Sequence, residues 1–252
     1  MIIVSAYYKI PSKSTHAAYV PNLIRWFRSI RGTIHFFTTQ DVIDELRTYV
    51  SVDHVIFHLL PFEQLTAMTK WGRPFWERQK ARDPETYHTP ELGMIWYEKK
   101  RFVERIMELY PDEPMFCWCD AGCIRDDASE HAATKFGTRG VQLNDDMIHF
   151  QTVGPYVSKQ FYHYEKIVDP ITRVEHCPNT CIAAAIIIGN RTAWTQYIKQ
   201  YDDMLKKYDE YGHCGISDQY ISYSCVSSTP HRYCLHPGTV AISGWFKFLE
   251  LL

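Results

Sequence analysis

The sequence has no excess of positive charge: 27 lysines and arginines stand against 29 aspartates and glutamates, a formal net charge of -2. A nucleic-acid partner is therefore not expected, because gripping a phosphate backbone takes a basic face. No hydrophobic run approaches a membrane-crossing length; the longest is Cys181 to Ile188. The first residues, Met1 to Ala6, lack the basic stretch and apolar core of a secretion signal, so a cytoplasmic setting is expected. The eight cysteines include no C-x-x-C pair, and Cys117, Cys119, Cys181 and Cys225 sit in apolar or strand-like runs. Buried free thiols account for this better than disulfides or a zinc site. A soft-metal cluster of Cys117, Cys119 and Cys123 stays open as an alternative, although no histidine stands nearby. A glycine-rich phosphate loop is missing, as are clustered acids, internal repeats, low-complexity tracts and linkers. These absences point to one domain in two halves, 1–126 and 127–252.

What is present is a soluble globular composition, 46% hydrophobic and 22% charged, with 15% aromatics. Such a wealth of rings suits a protein that grips bases or sugars, and it suits a well-filled core equally. The informative stretch is Pro114–Arg125. Met115 to Cys119 run without a break into Asp120, Ala121 and Gly122. A short unbroken apolar run reads as a strand buried on both faces, and ligands bind at the carboxyl ends of such strands. An acid emerging there beside a glycine suggests a metal or phosphate site, with Gly122 admitting close approach. The plainer alternative is an aspartate that begins a turn.

The chain around it alternates strand and helix. Met1–Tyr8 reads as a strand and Lys13–His16 as cap signals for a helix to Ile30. A second strand spans Thr33–Thr39, a helix Gln40–Tyr49, and a third strand His54–Leu60. This alternation is the signature of a parallel sheet with crossover helices. Residues 61–90 are irregular, and Trp71, Phe75 and Trp76 are read as surface that partly borders a site and holds an acceptor. Glu91–Tyr110 reads as a long helix whose mid-section charges, Glu98 to Arg101, face solvent. Beyond Arg125, strands are expected at 147–153, 160–163 and 181–188 and helices at 191–208 and 220–225. His236 falls in a Pro/Gly turn.

Several of these segments, in their order, resemble a nucleotide-sugar glycosyltransferase of the GT-A type, nearest to the bacterial and viral HtrL/YibB-like family. The segments are Ile3–Tyr8, Phe36-Phe-Thr38, Ile95–Lys99, Trp118-Cys-Asp-Ala-Gly122, Asn179-Thr-Cys-Ile182, Ser217-Asp-Gln219 and His236-Pro-Gly238. The last three resemble motifs of glycogenin-like transferases. The resemblance implies an α/β GT-A-like fold, a Rossmann-like mixed sheet flanked by helices, in a bacterial or host cytoplasm. It implies a UDP-sugar donor, a glycan or glycoprotein acceptor, and Mn²⁺ or Mg²⁺ held by Asp120 and His236. Two departures stand out. Trp118 occupies the place of a second acid two residues before Asp120, and Cys181 that of a glycine.

The chemistry asked of these residues is specific. A departing diphosphate needs its charge neutralised, and a divalent ion on a carboxylate supplies that. An imidazole partner favours manganese over magnesium. Lys99 is expected to reach a phosphate or to lie on a helix surface, and Arg125 to meet a phosphate or to pair with Asp126 or Asp127. Ser5, Ala6, Tyr7 and Tyr8 at the first strand's tip are expected around the nucleotide, with one tyrosine turned into the core. Asp218 and Gln219 are the catalytic candidates, as base or sugar contact, against a capping role for Asp218. A nucleotidyltransferase or phosphohydrolase, and a binding module that has lost the full acid pair, are the competing readings.

Overall fold

A computed structural model of the chain describes residues 1–12, 14–134, 136, 143, 146–153, 167–168, 175–176, 182–236 and 248–251. Its frame is one sheet built from β1 (Ile2–Ala6), β2 (Ile34–Thr38), β3 (Val55–Leu59), β4 (Met115–Cys119), β5 (Ile148–Thr152), β8 (Ile182–Asn190) and β9 (Tyr233–His236). Between β5 and β8, β6 (Ile167–Val168) and β7 (Glu175–His176) form a separate antiparallel ribbon. The strand order is β3-β2-β1-β4-β8-β5-β9, and every pairing is parallel except the two made by β8. The expected α/β architecture, a mixed sheet flanked by helices, is the one observed. Every residue of β1, β2 and β5 is buried, the polar Ser5, His35, Thr38, His149, Gln151 and Thr152 included.

The α-helices among the described residues are α1 (His16–Ser29), α2 (Gln40–Tyr49), α3 (Arg73–Ala81), α4 (Pro90–Leu109), α5 (Asp127–Ala133), α6 (Arg191–Glu210), α7 (Asp218–Ser228) and α8 (Phe248–Leu251). Local chemistry sets their ends. Thr89 accepts from the Leu92 amide with Pro90 in the first turn of α4, and Asn190 accepts from the Ala193 amide at the start of α6. Gly212, at φ +77°, closes α6 in the left-handed region. Apolar side chains pack on both sheet faces. One cluster joins Phe102, Ile106, Trp118, Ile187 and Trp194; the other joins Trp26, Phe27, Phe36, Cys119 and Ile188.

Two stretches differ from expectation for one physical reason, the position of α4. The helix packs against the sheet, α3, α6 and α7 at once, so its middle has no solvent face. Glu98, Lys99 and Lys100 are buried, and each has a partner. Glu98 accepts the Thr66 and Ala67 amides at 2.9 Å each. Lys100 Nζ donates to the Tyr97 carbonyl at 2.7 Å, between the rings of Tyr97 and Tyr201 at 3.4 and 3.6 Å. Arg101 binds Asp202 and Glu104. The aromatic segment thought to border a site is mostly core: Phe75 and Trp76 are buried, and the Trp76 indole donates to the Ala67 carbonyl at 2.9 Å. In addition, α7 begins at Asp218, two residues before the expected Tyr220, and His236 ends an edge strand. The expected strand at 160–163, together with Lys13, Asn179–Cys181 and Pro237-Gly238, lies outside the described residues.

The parallel half holds a buried histidine pair that lowers stability in acid. His35 on β2 and His58 on β3 are stacked, with His35 Nδ1 and His58 Nε2 2.8 Å apart. Burial, and then the neighbouring His58, hold His35 down at about 4. Between pH 6.5 and 4 the unfolded chain takes up a proton that folded His35 refuses, so stability falls as pH drops through that window. The loss amounts to about 3 kcal/mol. Urea unfolding across that range should show it, and His35→Gln should flatten the slope.

Candidate functional site

Connectivity opens a crevice beside β1. From β1 the chain steps through α1 and α2 to β2 and β3; it then crosses back by α4 to β4 on the other side. At such a reversal the carboxyl ends of the two neighbouring strands splay, which is where α/β sheets place ligands. The strand ends are tied together here. Ser5 Oγ donates to the Cys119 carbonyl at 2.6 Å, and Thr38 Oγ1 to the Tyr7 carbonyl at 2.6 Å. The Asp120 amide donates to the Ala185 carbonyl at 2.8 Å, extending the β4–β8 ladder by one residue.

Asp120 is thus fixed by its backbone, and its side chain is fixed as well. Oδ1 accepts the Trp118 indole N–H at 2.7 Å and lies 3.1 Å from Lys99 Nζ; Oδ2 lies 3.2 Å from the same Nζ. Lys99 reaches across from α4, donates to the Ala184 carbonyl at 3.0 Å, and stands 2.9 Å from Asp218 Oδ2 at the start of α7. The side chains of Lys99 and Asp218 are 7% and 8% exposed, while that of Asp120 is 30% exposed, so Asp120 is the member that meets solvent. Burial works against the Lys99 charge, but Asp120 and Asp218 together hold it above the ordinary lysine range. Burial raises the Asp218 carboxyl, with Lys99 opposing it. Counted as ions, the three groups carry one net negative charge.

Above them lies an open cleft bordered by Ala6, Tyr7, Tyr19, Trp96, Lys99 and Asp120. Tyr7 is the half-exposed tyrosine. Its Oη lies 2.8 Å from His16 Nδ1, whose Nε2 is 2.9 Å from Glu45, and its ring stacks on Tyr19 at 5.1 Å. Burial, then Glu45, push the Tyr7 phenol up to about 12. Tyr8 is the core tyrosine, stacked on Phe102 and donating to the Leu60 carbonyl at 2.9 Å.

Other expected residues stand elsewhere or act differently. Ser5 is buried within the sheet. A Cβ on Gly122 would lie 1.9 Å from Tyr19 Oη, so its missing side chain makes room for that tyrosine. Arg125 Nε donates to the Gly122 carbonyl at 3.1 Å, while Asp127 pairs with Arg25. Gln219 Nε2 donates to the Ile182 carbonyl at 2.8 Å and pins the start of β8. His236 is three strands from β4 in the sheet order, about 14 Å at the usual strand spacing, and is not brought to Asp120. Cys119 and Cys123 sulfurs lie 3.6 Å apart, and Cys117, Cys119, Cys123, Cys214, Cys225 and Cys234 are free thiols. Tyr19 and Trp96 escape a reading of the sequence, because helical spacing marks them only as members of an amphipathic face.

No protein-family model and no curated protein match the sequence. Among solved structures, the chain is similar to mouse xyloside xylosyltransferase 1 in its apo form, at 16% identity and a TM-score of 0.47, covering 93% of this chain and 84% of that one. It is also similar to a glycosyltransferase involved in the glycosylation of the major capsid of PBCV-1, at 13% identity and a TM-score of 0.44, covering 94% and 81%. Likenesses of this size assign neither an activity nor a substrate to the chain. Among the described residues no helix is long and apolar enough to cross a membrane.

The ion triad makes a direct prediction. Lys99→Met leaves two carboxylates facing one another with no cation, and breaking a buried pair costs about 3–5 kcal/mol. The buried Asp218 of the variant then favours its protonated form, so the lost stability should return as pH is lowered from 7 towards 5. Urea unfolding of the variant at the two pH values checks both the loss and its direction.

Proposed function

We propose that the cleft binds a nucleoside diphosphate sugar, a UDP-sugar foremost, and that the protein transfers the sugar to a hydroxyl of a glycan or glycoprotein acceptor. The observation that carries this reading is Asp120. It is a rigidly held, part-exposed carboxylate at the carboxyl end of β4, in the crevice where the sheet reverses direction. The strand order with a single antiparallel member, β8, agrees with the GT-A-like resemblance of the sequence.

Each residue then has a task set by its surroundings. Tyr7, stacked on Tyr19 and oriented through His16, offers an aromatic surface for the base. Lys99 spends its protons on Asp120, Asp218 and the Ala184 carbonyl, so it orients Asp120 rather than meeting a phosphate. Asp218, buried against that ammonium, supports the floor and is poorly placed to take a proton from an acceptor. Gln219 holds the start of β8 beside it.

The residues fit a manganese or magnesium ion in one way only. Trp118 and Lys99 occupy Asp120 Oδ1, while Oδ2 has Lys99 alone, which leaves acceptor capacity beside the cleft. Among the described residues no second ligand joins it: position 118 is tryptophan, position 122 is glycine, and His236 is three strands away. A hard cation held by one carboxylate takes its other ligands from substrate phosphates and water. When bound, such an ion neutralises the charge that develops on a departing diphosphate. The net negative charge of the triad favours its arrival.

Calorimetry tests this reading. Manganese alone should bind weakly, UDP alone weakly, and the two together at least about tenfold more tightly, with slow hydrolysis of a UDP-sugar by the wild type. Asp120→Asn should remove the gain from manganese while the melting temperature stays close to that of the wild type. Unchanged binding in that variant would take Asp120 out of the site. The lone carboxylate also supports a second reading, a nucleotide- or carbohydrate-binding module, for which binding would appear with no turnover of any sugar donor.

A further inference from the structure

The face of the sheet opposite α4 carries a group of side chains that the cleft does not use. His149 on β5 pairs in register with Cys234 on β9, and Gln151 with His236. Side chains two apart on a strand share a face, so Cys234 and His236 project to one side of β9. Their neighbours Tyr233 and Leu235 pack into the cluster on the α4 side, as do Ile148 and Phe150 flanking His149. His149 Nδ1 lies 2.9 Å from His236 Nε2, and one ring nitrogen of each histidine and Cys234 Sγ all fall within 4.8 Å of one another. His149 is almost fully buried and the other two are partly buried. The Phe248 ring stands edge-on to His236 at 5.0 Å, and the Phe248 amide donates to Gln151 Oε1 at 2.9 Å, so α8 covers the group.

We propose that His149, Cys234 and His236 form a zinc site that fastens the edge strand β9 to β5. Two imidazoles and a thiolate are the donor set that a borderline-soft, tetrahedral ion prefers, and a poor one for manganese or magnesium. The geometry needs small adjustments. Bond lengths in tetrahedral zinc sites put two ligating nitrogens about 3.3 Å apart and a nitrogen and a sulfur about 3.6 Å apart. The imidazoles have to part by a few tenths of an ångström, and the sulfur has to move in by at most about 1.2 Å. Both are within the reach of side-chain rotation on a strand at the sheet edge. Binding converts the Cys234 thiol to thiolate and releases its proton to solvent, and the fourth position is left for a water. The His236 expected to share a cation with Asp120 instead stands among nitrogen and sulfur donors. The proposal is independent of nucleotide binding at the cleft.

Cobalt serves as the spectroscopic stand-in. The full chain, stripped with a chelator and titrated with Co²⁺, should take up one ion. The intense visible bands of a tetrahedral site should appear with a thiolate-to-cobalt charge-transfer band, and Zn²⁺ should displace both. Cys234→Ser should abolish the charge-transfer band, and His236→Ala should weaken zinc binding at least about tenfold. Cys214→Ser, a change at a half-buried thiol in another part of the fold, should leave the spectrum as it was. A second readout does not depend on how the variants fold: bound zinc should slow alkylation of Cys234, followed by peptide mass spectrometry, and leave that of Cys214 unaltered. A pale octahedral cobalt spectrum with no thiolate band, or equal alkylation of Cys234 with and without zinc, would overturn the proposal.

Discussion

A lysine ammonium between two carboxylates is the constraint on which the site depends. Lys99 draws Asp120 from the end of β4 and Asp218 from the start of α7 to within about 3 Å of one nitrogen, and it adds the Ala184 carbonyl of β8. Three elements remote in sequence are thereby held to α4 at the floor of the cleft. The arrangement is costly to form, because ions leave water, and it depends above all on the ammonium, whose removal leaves two carboxylates without a cation. What it secures is direction: Asp120, which would otherwise swing freely at the end of a strand, faces the crevice with one oxygen already filled by Trp118.

The second consequence lies in charge. A cleft with a free ammonium would meet a diphosphate directly, and here the ammonium is fully engaged. The floor therefore presents a carboxylate edge, suited to hydroxyl groups and to a cation that travels with its phosphates. Tyr7 at the tip of β1 and Tyr19 on α1 give the other end of the cleft an aromatic character. Polar floor and aromatic rim together match an elongated ligand with one charged portion and one flat one.

Much of the frame was legible in the sequence because burial on both faces leaves a plain mark. The unbroken run Met115–Cys119 is a strand, the expected strands Met1–Tyr8 and Thr33–Thr39 hold Ile2–Ala6 and Ile34–Thr38, and Gln40–Tyr49 is a helix with the bounds its charge pattern suggested. Asp120 could be picked out for the same reason, as the first acid after a buried strand. Glu98, Lys99 and Lys100 misled, because a run of charges in a helix ordinarily faces water, and only the packing of α4 against the sheet and three helices explains their burial. Gly122 misled too: its space is filled by Tyr19, a residue far away in the chain with no local signal. His236 reads as a turn residue when its edge-strand pairing with β5 is unknown. Each of these depends on a tertiary neighbour, and no periodicity records that.

The most direct measurement is a crystal structure of the protein grown with UDP and manganese. The account predicts the diphosphate in the crevice between β1 and β4, the ion on Asp120 and the uracil against Tyr7, with Lys99 still bound to both carboxylates. A nucleotide bound elsewhere, or a diphosphate that draws Lys99 away from Asp120 and Asp218, would contradict it.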